Sequence, residues 1–154
     1  MSSFSAEVAW ERGDARFTDN RYSRGHTWVF DGGQTVPASS SPHIVPLPYS
    51  VAENVDPEEA FVAALSSCHM LFFLSLAAKK GLVVDRYVDT AEGFLEDIGG
   101  TQQVSRIVLS PRVTYLENEP DRATETELHH QAHALCFLAN SVKSVIEIRL
   151  ADET

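Results

Sequence analysis

Cysteine is almost missing from this chain: 154 residues carry two, Cys68 and Cys136. Two thiols cannot make a disulfide framework, so a reducing cytoplasm is the expected compartment. Basic residues are scarce too. Twelve Lys and Arg face 22 Asp and Glu, a formal net charge of −10. Nucleic-acid affinity rests largely on neutralising phosphates with Lys and Arg, so no nucleic-acid partner is expected. The first ten residues, Met1 to Trp10, lack the basic start and apolar stretch of a secretory signal. No glycine-rich phosphate loop and no nucleophilic-serine elbow occurs. No repeat or low-complexity tract is evident, and no cofactor is expected.

One apolar run tests the soluble reading. Ala60 to Ala78 is nearly long enough to cross a bilayer, yet Ser66, Ser67, His69 and Ser75 interrupt it. A helix that is apolar all round is also what an enclosed core helix looks like. The segments around it read as strands and a soluble amphipathic helix, so no membrane partner is expected. The length suits a single domain, 1–154, able to bury a core.

Phe4, Ala6, Val8 and Trp10 alternate with Ser5, Glu7 and Glu11, which predicts a half-buried strand. Residues 15–18 and 23–30 read as further strands. Asp31-Gly32-Gly33 signals a hairpin into a short strand over Gln34 to Ala38. Pro37, Pro42, Pro46 and Pro48 make 37–56 a long irregular segment. Its Ile44, Val45, Leu47 and Tyr49 predict an ordered loop, able to line an entrance for an apolar ligand. Asp56-Pro57-Glu58-Glu59 is a strong helix start: a cap, a proline at the first position and a reciprocal carboxylate. The helix should run to about Lys80 and stop at Gly81. Residues 82–98 and 103–117 predict two long strands around Gly99-Gly100. Thr124 to Glu127 reads as a second capping box. The helix after it places Leu128, Ala132, Leu135, Cys136 and Ala139 on one face. Ser144 to Leu150 alternates as a last strand. The order is α+β with a mainly antiparallel sheet.

Each thiol reads in two ways, as a small buried hydrophobe or as half of a redox pair. Both fall on helix faces expected to be buried, where they can meet. The histidines offer a third reading. His129, His133 and Cys136 stand at i, i+4 and i+7 and form a candidate zinc set, with His69 or His43 to complete it. The neighbours Cys68 and His69 are not a dyad, because adjacent helical side chains do not face each other.

The segment Asp56-Pro-Glu-Glu-Ala-Phe-Val-Ala-Ala-Leu-Ser-Ser-Cys68 resembles the Asn/Asp-Pro-Glu-x…Ala-x-x-Ala-Cys signature of the OsmC/Ohr family. Cys136 follows where that family places a second thiol, and the element order matches over almost the whole chain. Residues 22–33 and 39–48 look like the OsmC-like branch. The resemblance implies an OsmC-like fold and a thiol-dependent peroxidase that reduces organic hydroperoxides. By it, Cys68 is the peroxidatic thiol, Cys136 the resolving thiol and Glu58 the acidic partner. A dithiol reductant, of lipoyl type, is implied as well. An arginine that steadies the thiolate is also expected, but relatives carry it in a Gly-rich hairpin that this chain lacks. Arg24 is the choice here, with Arg21 and Arg16 behind it. Many relatives have proline straight after the second thiol, where this chain has Phe137.

Glu58 and Cys68 lie ten residues apart on one predicted helix, about 15 Å along its axis. They cannot touch within one chain. A small sheet also covers only one face of an apolar helix. Both points predict a two-fold homodimer in which this helix crosses its own copy near Ala63 and Ala64.

Overall fold

The capping signal at Asp56 does what its chemistry requires. Asp56 Oδ1 accepts from the N–H of Glu59, and Glu59 Oε1 accepts from the N–H of Asp56, each at 2.8 Å. N–H groups that a helix start leaves without partners are so satisfied. Helix α1 then runs unbroken over Pro57–Lys79. Gly81, at φ 76°, takes the left-handed conformation that glycine adopts freely. The N–H of Leu82 returns to Ala77 O and that of Gly81 to Ala78 O, which closes the helix end. The computed structural model describes residues 1–151. They fall into two units, Met1–Ala60 and the chain from Phe61 on.

The first unit is built on an antiparallel sheet of β1 (Ala6–Ala9), β2 (His26–Phe30) and β3 (Thr35–Ala38), in that order. Gly33, at φ 91°, turns β2 into β3. β1 is where alternation placed a strand, but all four of its residues are exposed rather than half-buried. Residues 15–18 form no strand. Phe17 sits at φ 72°, outside extended backbone, and its ring stacks on Tyr22 while Trp10 packs on both. The proline-rich segment is irregular, as read, yet well tied. Ser39 Oγ accepts from Val51 N, Asn54 Nδ2 donates to Ala38 O, and Val55 bridges to Ala38. Ile44 and Leu47 remain exposed.

In the second unit the two predicted long strands are each divided. They become β4 (Val83–Asp89) with β5 (Glu92–Ile98), and β6 (Thr101–Leu109) with β7 (Pro111–Glu117). β4 pairs with β7, and β5 with β6, in separate sheets. The register carries across the break: Asp89 is opposite Pro111, and Glu92 opposite Val108. The four strands are thus one antiparallel ribbon bent at a corner. Asp89 ties that corner, its Oδ1 accepting from Ser110 N at 2.6 Å and its Oδ2 from Ser66 Oγ on α1. β8 (Val145–Ile148) joins β6 in parallel.

Helix α2 covers Arg122–Leu135. It starts two residues before the predicted Thr124 box, because Asp121 caps it by accepting from Thr124 N at 2.8 Å. The buried stripe of α1 is Leu65, His69, Phe73 and Ala77, at four-residue steps. Leu65 packs with Ile107 and Leu109 of β6, while Phe73 and Ala77 pack with Leu128 and Ala132 of α2. Ala63, Ala64, Ser67, Leu71, Ser75 and Ala78 form an exposed stripe on α1. By length and composition α1 could cross a membrane, and only 22% of its most apolar window is buried within the chain.

Candidate functional site

The thiols meet where α1 packs on the end of α2. Cys136 is not inside α2 but caps it, its N–H donating to Ala132 O at 2.9 Å. The chain then turns tightly through Ala139–Ser141. Asn140 Nδ2 donates to the carbonyls of Ala134 and Cys136, each at 3.0 Å. That turn brings the N–H of Ala139 to 3.4 Å from Cys136 Sγ. Both cysteines are free, Cys136 buried and Cys68 partly so. Burial pushes the Cys136 thiol above its ordinary value, and the neighbouring Cys68 thiol adds to the rise. The N–H groups of Ala139 and Leu138 act in the opposite sense, since donors at sulfur favour the thiolate. Phe137, in place of the relatives' proline, meets Phe72 of α1 edge-on at 5.0 Å.

Beside the thiols lies a buried row of imidazoles that sequence reading missed as a unit. His69 Nε2 and His129 Nδ1 are 3.0 Å apart, and the two residues are each 1% exposed. Their rings are nearly parallel, and Phe73 stacks on His129 at 4.2 Å. Glu125 Oε1 stands 3.8 Å from His129 Nε2, one helical turn back. Tyr115 of β7 lies next to Glu125, and burial raises the pKa of both groups. Burial lowers His69 to about 4, with His133 adding to the fall. It lowers His129 to about 3, with His69, His130 and Arg122 adding. Both rings are neutral at pH 7. The signal was present in the sequence: His69 falls four residues from Leu65 and four from Phe73, and a polar group on a buried stripe needs a partner.

That arrangement replaces the zinc reading. His129 Nδ1 is engaged by His69, and among the described residues no group of three or more His, Cys, Asp or Glu is placed to hold a metal ion.

The remaining candidates are distributed as follows. Glu58 lies in the first turn of α1, and its Oε2 is buried without a hydrogen-bond partner. Ten residues of unbroken helix separate it from Cys68. Arg24 is fixed locally. Its Nη1 donates to Tyr22 O at 2.5 Å and Asn20 O at 3.0 Å, its Nη2 to Asn20 Oδ1 at 2.8 Å, and the guanidinium lies 3.8 Å over the Tyr22 ring. No ion pair joins it to Glu58 among the described residues. Arg16 and Arg21 are exposed.

A family model described as OsmC-like protein matches residues 51–151. Among solved structures, an OsmC-like protein of unknown function from Vibrio cholerae is 52% identical, with a TM-score of 0.94 over 97% of this chain and 99% of that one. An organic hydroperoxide resistance protein from Elizabethkingia anophelis is 16% identical, with a TM-score of 0.70 over 97% of this chain and 94% of that one. An organic hydroperoxide resistance protein OsmC from Legionella pneumophila is 12% identical, with a TM-score of 0.66 over 97% and 96%. No curated protein matches the chain.

Proposed function

The chain belongs to the OsmC/Ohr family, and from that premise we propose that it is a thiol-dependent peroxidase acting on organic hydroperoxides. The observation that carries the reading is the nearness of two thiols 68 residues apart in sequence, Cys68 in the middle of α1 and Cys136 at the cap of α2, close enough for Cys68 to raise the Cys136 thiol. In this reading the Cys68 thiolate attacks the O–O bond, which yields an alcohol and a sulfenic acid at Cys68. The Cys136 thiol condenses with that sulfenic acid, forming the Cys68–Cys136 disulfide and releasing water. A small dithiol reopens the bond by exchange and leaves as its own disulfide. The hydroperoxide resistance proteins of the same fold support the substrate class. With 12 Lys and Arg against 22 Asp and Glu, no nucleic-acid partner is proposed, and a cytoplasmic site of action goes with two thiols kept reduced.

Thiol titration tests this directly. Adding an organic hydroperoxide to the reduced protein should remove both thiols per chain within the mixing time of a fast assay. Unchanged thiols would leave the fold as a module for an apolar ligand, with both cysteines as packing. In the same assay Arg24→Ala should slow the loss while the circular dichroism spectrum is kept. An unaltered rate would pass the cation's role to Arg21 or Arg16.

We further propose that the working unit is a homodimer. The exposed stripe on α1 is apolar and rich in small residues, and an apolar face of that length needs cover. A second copy of α1 crossing antiparallel near Ala63 and Ala64 supplies it. Glu58 of one chain then approaches Cys68 of the other, and the buried Glu58 oxygen gains surroundings in which to find a partner. Mixing Cys68→Ser chains with Glu58→Ala chains should restore activity, because each mixed dimer keeps one site with both residues. No rescue in verified mixed dimers, or a fully active monomer, removes the composite site.

A further inference from the structure

We propose that the His69–His129 hydrogen bond is an acid-sensitive clamp that positions Cys68 against Cys136. The inference rests on the thiol-pair reading, but not on any reaction with peroxide. Its basis is the placement of two contacts, one a hydrogen bond and one an approach of thiols, between the same two helices. Cys68 and His69 are neighbours on α1, and both find their partners, Cys136 and His129, at α2 and its cap. Phe73 stacks on His129 and belongs to a cluster with Ala77, Leu128 and Ala132; such contacts fill space without fixing one register as a directional bond does.

The geometry also fixes the polarity of the bond. If His129 Nδ1 carried the hydrogen, the bare Nε2 lone pair would face the Glu125 carboxylate at 3.8 Å. The opposite assignment removes that repulsion. His69 Nε2–H donates to His129 Nδ1, and His129 Nε2–H faces Glu125. His69 Nδ1 is then a bare, buried acceptor. An N–H···N bond holds one proton between two rings. A further proton on the pair buries a cation, whether it enters at the bare His69 Nδ1 or displaces the hydrogen bond at His129 Nδ1, so the rings turn toward water and the clamp opens.

Every charged or titratable group facing the pair bears on that event. From α2 these are Glu125, Arg122, His130 and His133, and from the strands Tyr115 of β7 and Tyr87 of β4, whose ring packs on Phe73. Glu125 is the one group here that would favour a proton on His129. The others, being neutral or cationic, do not offset burial.

The test uses isosteres. In His69→Gln the new amide nitrogen would stand where the His69 Nε2–H donates. In His129→Asn the new carbonyl oxygen would stand where His129 Nδ1 accepts. Neither amide titrates. The readout is the equilibrium of the Cys68–Cys136 disulfide with reduced and oxidised glutathione, approached from both directions at pH 7 and pH 3.5, with folding checked by circular dichroism at each pH. That exchange moves two electrons and two protons between thiol and disulfide pairs, so it carries little intrinsic pH dependence where all thiols are protonated. Wild type should lose about fourfold in its preference for the disulfide at pH 3.5, as expected of a group that titrates near 4. The His69→Gln/His129→Asn double variant should keep its pH 7 value, and His69→Leu should be weakened tenfold at both. A double variant that titrates like wild type overturns the clamp, as does a folded His69→Leu chain with the wild-type equilibrium. If His69→Leu does not fold, the double variant alone decides. A chain inert to organic hydroperoxide that still shows this pattern keeps the clamp and loses the peroxidase.

Discussion

Cys68→Ser should abolish hydroperoxide consumption, a fall of at least ~10³-fold, which is about 4 kcal/mol of lost transition-state stabilisation. A hydroxyl at that position has no accessible anion near neutral pH, whereas a thiol does. Cys136→Ser should behave differently. One rapid turnover should occur, and then a sulfenic acid at Cys68 should accumulate, since the partner that condenses with it is gone. Mass spectrometry with a sulfenic-acid trap reads the difference. Normal steady-state turnover of Cys136→Ser with a dithiol reductant would remove the resolving role. The nearness of the two thiols makes the second outcome the sharper of the two.

Acid should destabilise the fold well before its carboxylates titrate. His69 and His129 are lowered to about 4 and about 3 by burial, from about 6.5 in an unfolded chain. A base with a depressed folded pKa binds more protons when unfolded. Its contribution is therefore complete above pH 6.5, is lost as pH falls through 6 and 5, and levels off below the folded values. Between pH 6 and pH 5 the slope should approach about 1.4 kcal/mol per pH unit for each ring, or about 2.7 for both. Urea unfolding at fixed protein concentration, at pH 7, 6 and 5, measures it. A stability unchanged across that interval would mean that the rings are solvated and titrate normally.

Where local chemistry decides structure, the sequence was legible. Asp56 and Glu59 form the reciprocal cap that their spacing implies, and Gly81 stops α1 one residue past Lys80. Gly99-Gly100 turns the ribbon where expected. The losses came where tertiary contacts override pattern. Alternation continues through 82–98, but the Asp89 corner bends the ribbon there, and no periodicity reports a bend tied by a carboxylate to the N–H of Ser110 on the opposite side of the ribbon. Residues 15–18 read as strand, while the φ of 72° at Phe17 and its stack on Tyr22 belong to a turn. At the site, each cysteine was visible on its own, but their contact depends on how α1 packs on α2. The histidines were read as a zinc set spaced along α2, His129, His133 and Cys136, with His69 or His43 to complete it. The bond that matters runs across to α1, a direction that spacing along one helix does not report.

The bent ribbon has a consequence for the order in which the chain folds. All four of its strands zip outward from one turn, so each new pair closes a loop only a few residues longer than the last. The corner does not interrupt that process, because register is kept from Glu92 opposite Val108 to Asp89 opposite Pro111. β8 is different. It lies parallel to β6, and reaching it requires the chain to pass through α2 first. Local pairing comes early and the parallel strand late. α2 and the Cys136 turn are then seated last, on an edge already made, and the two thiols first come together at the end of folding.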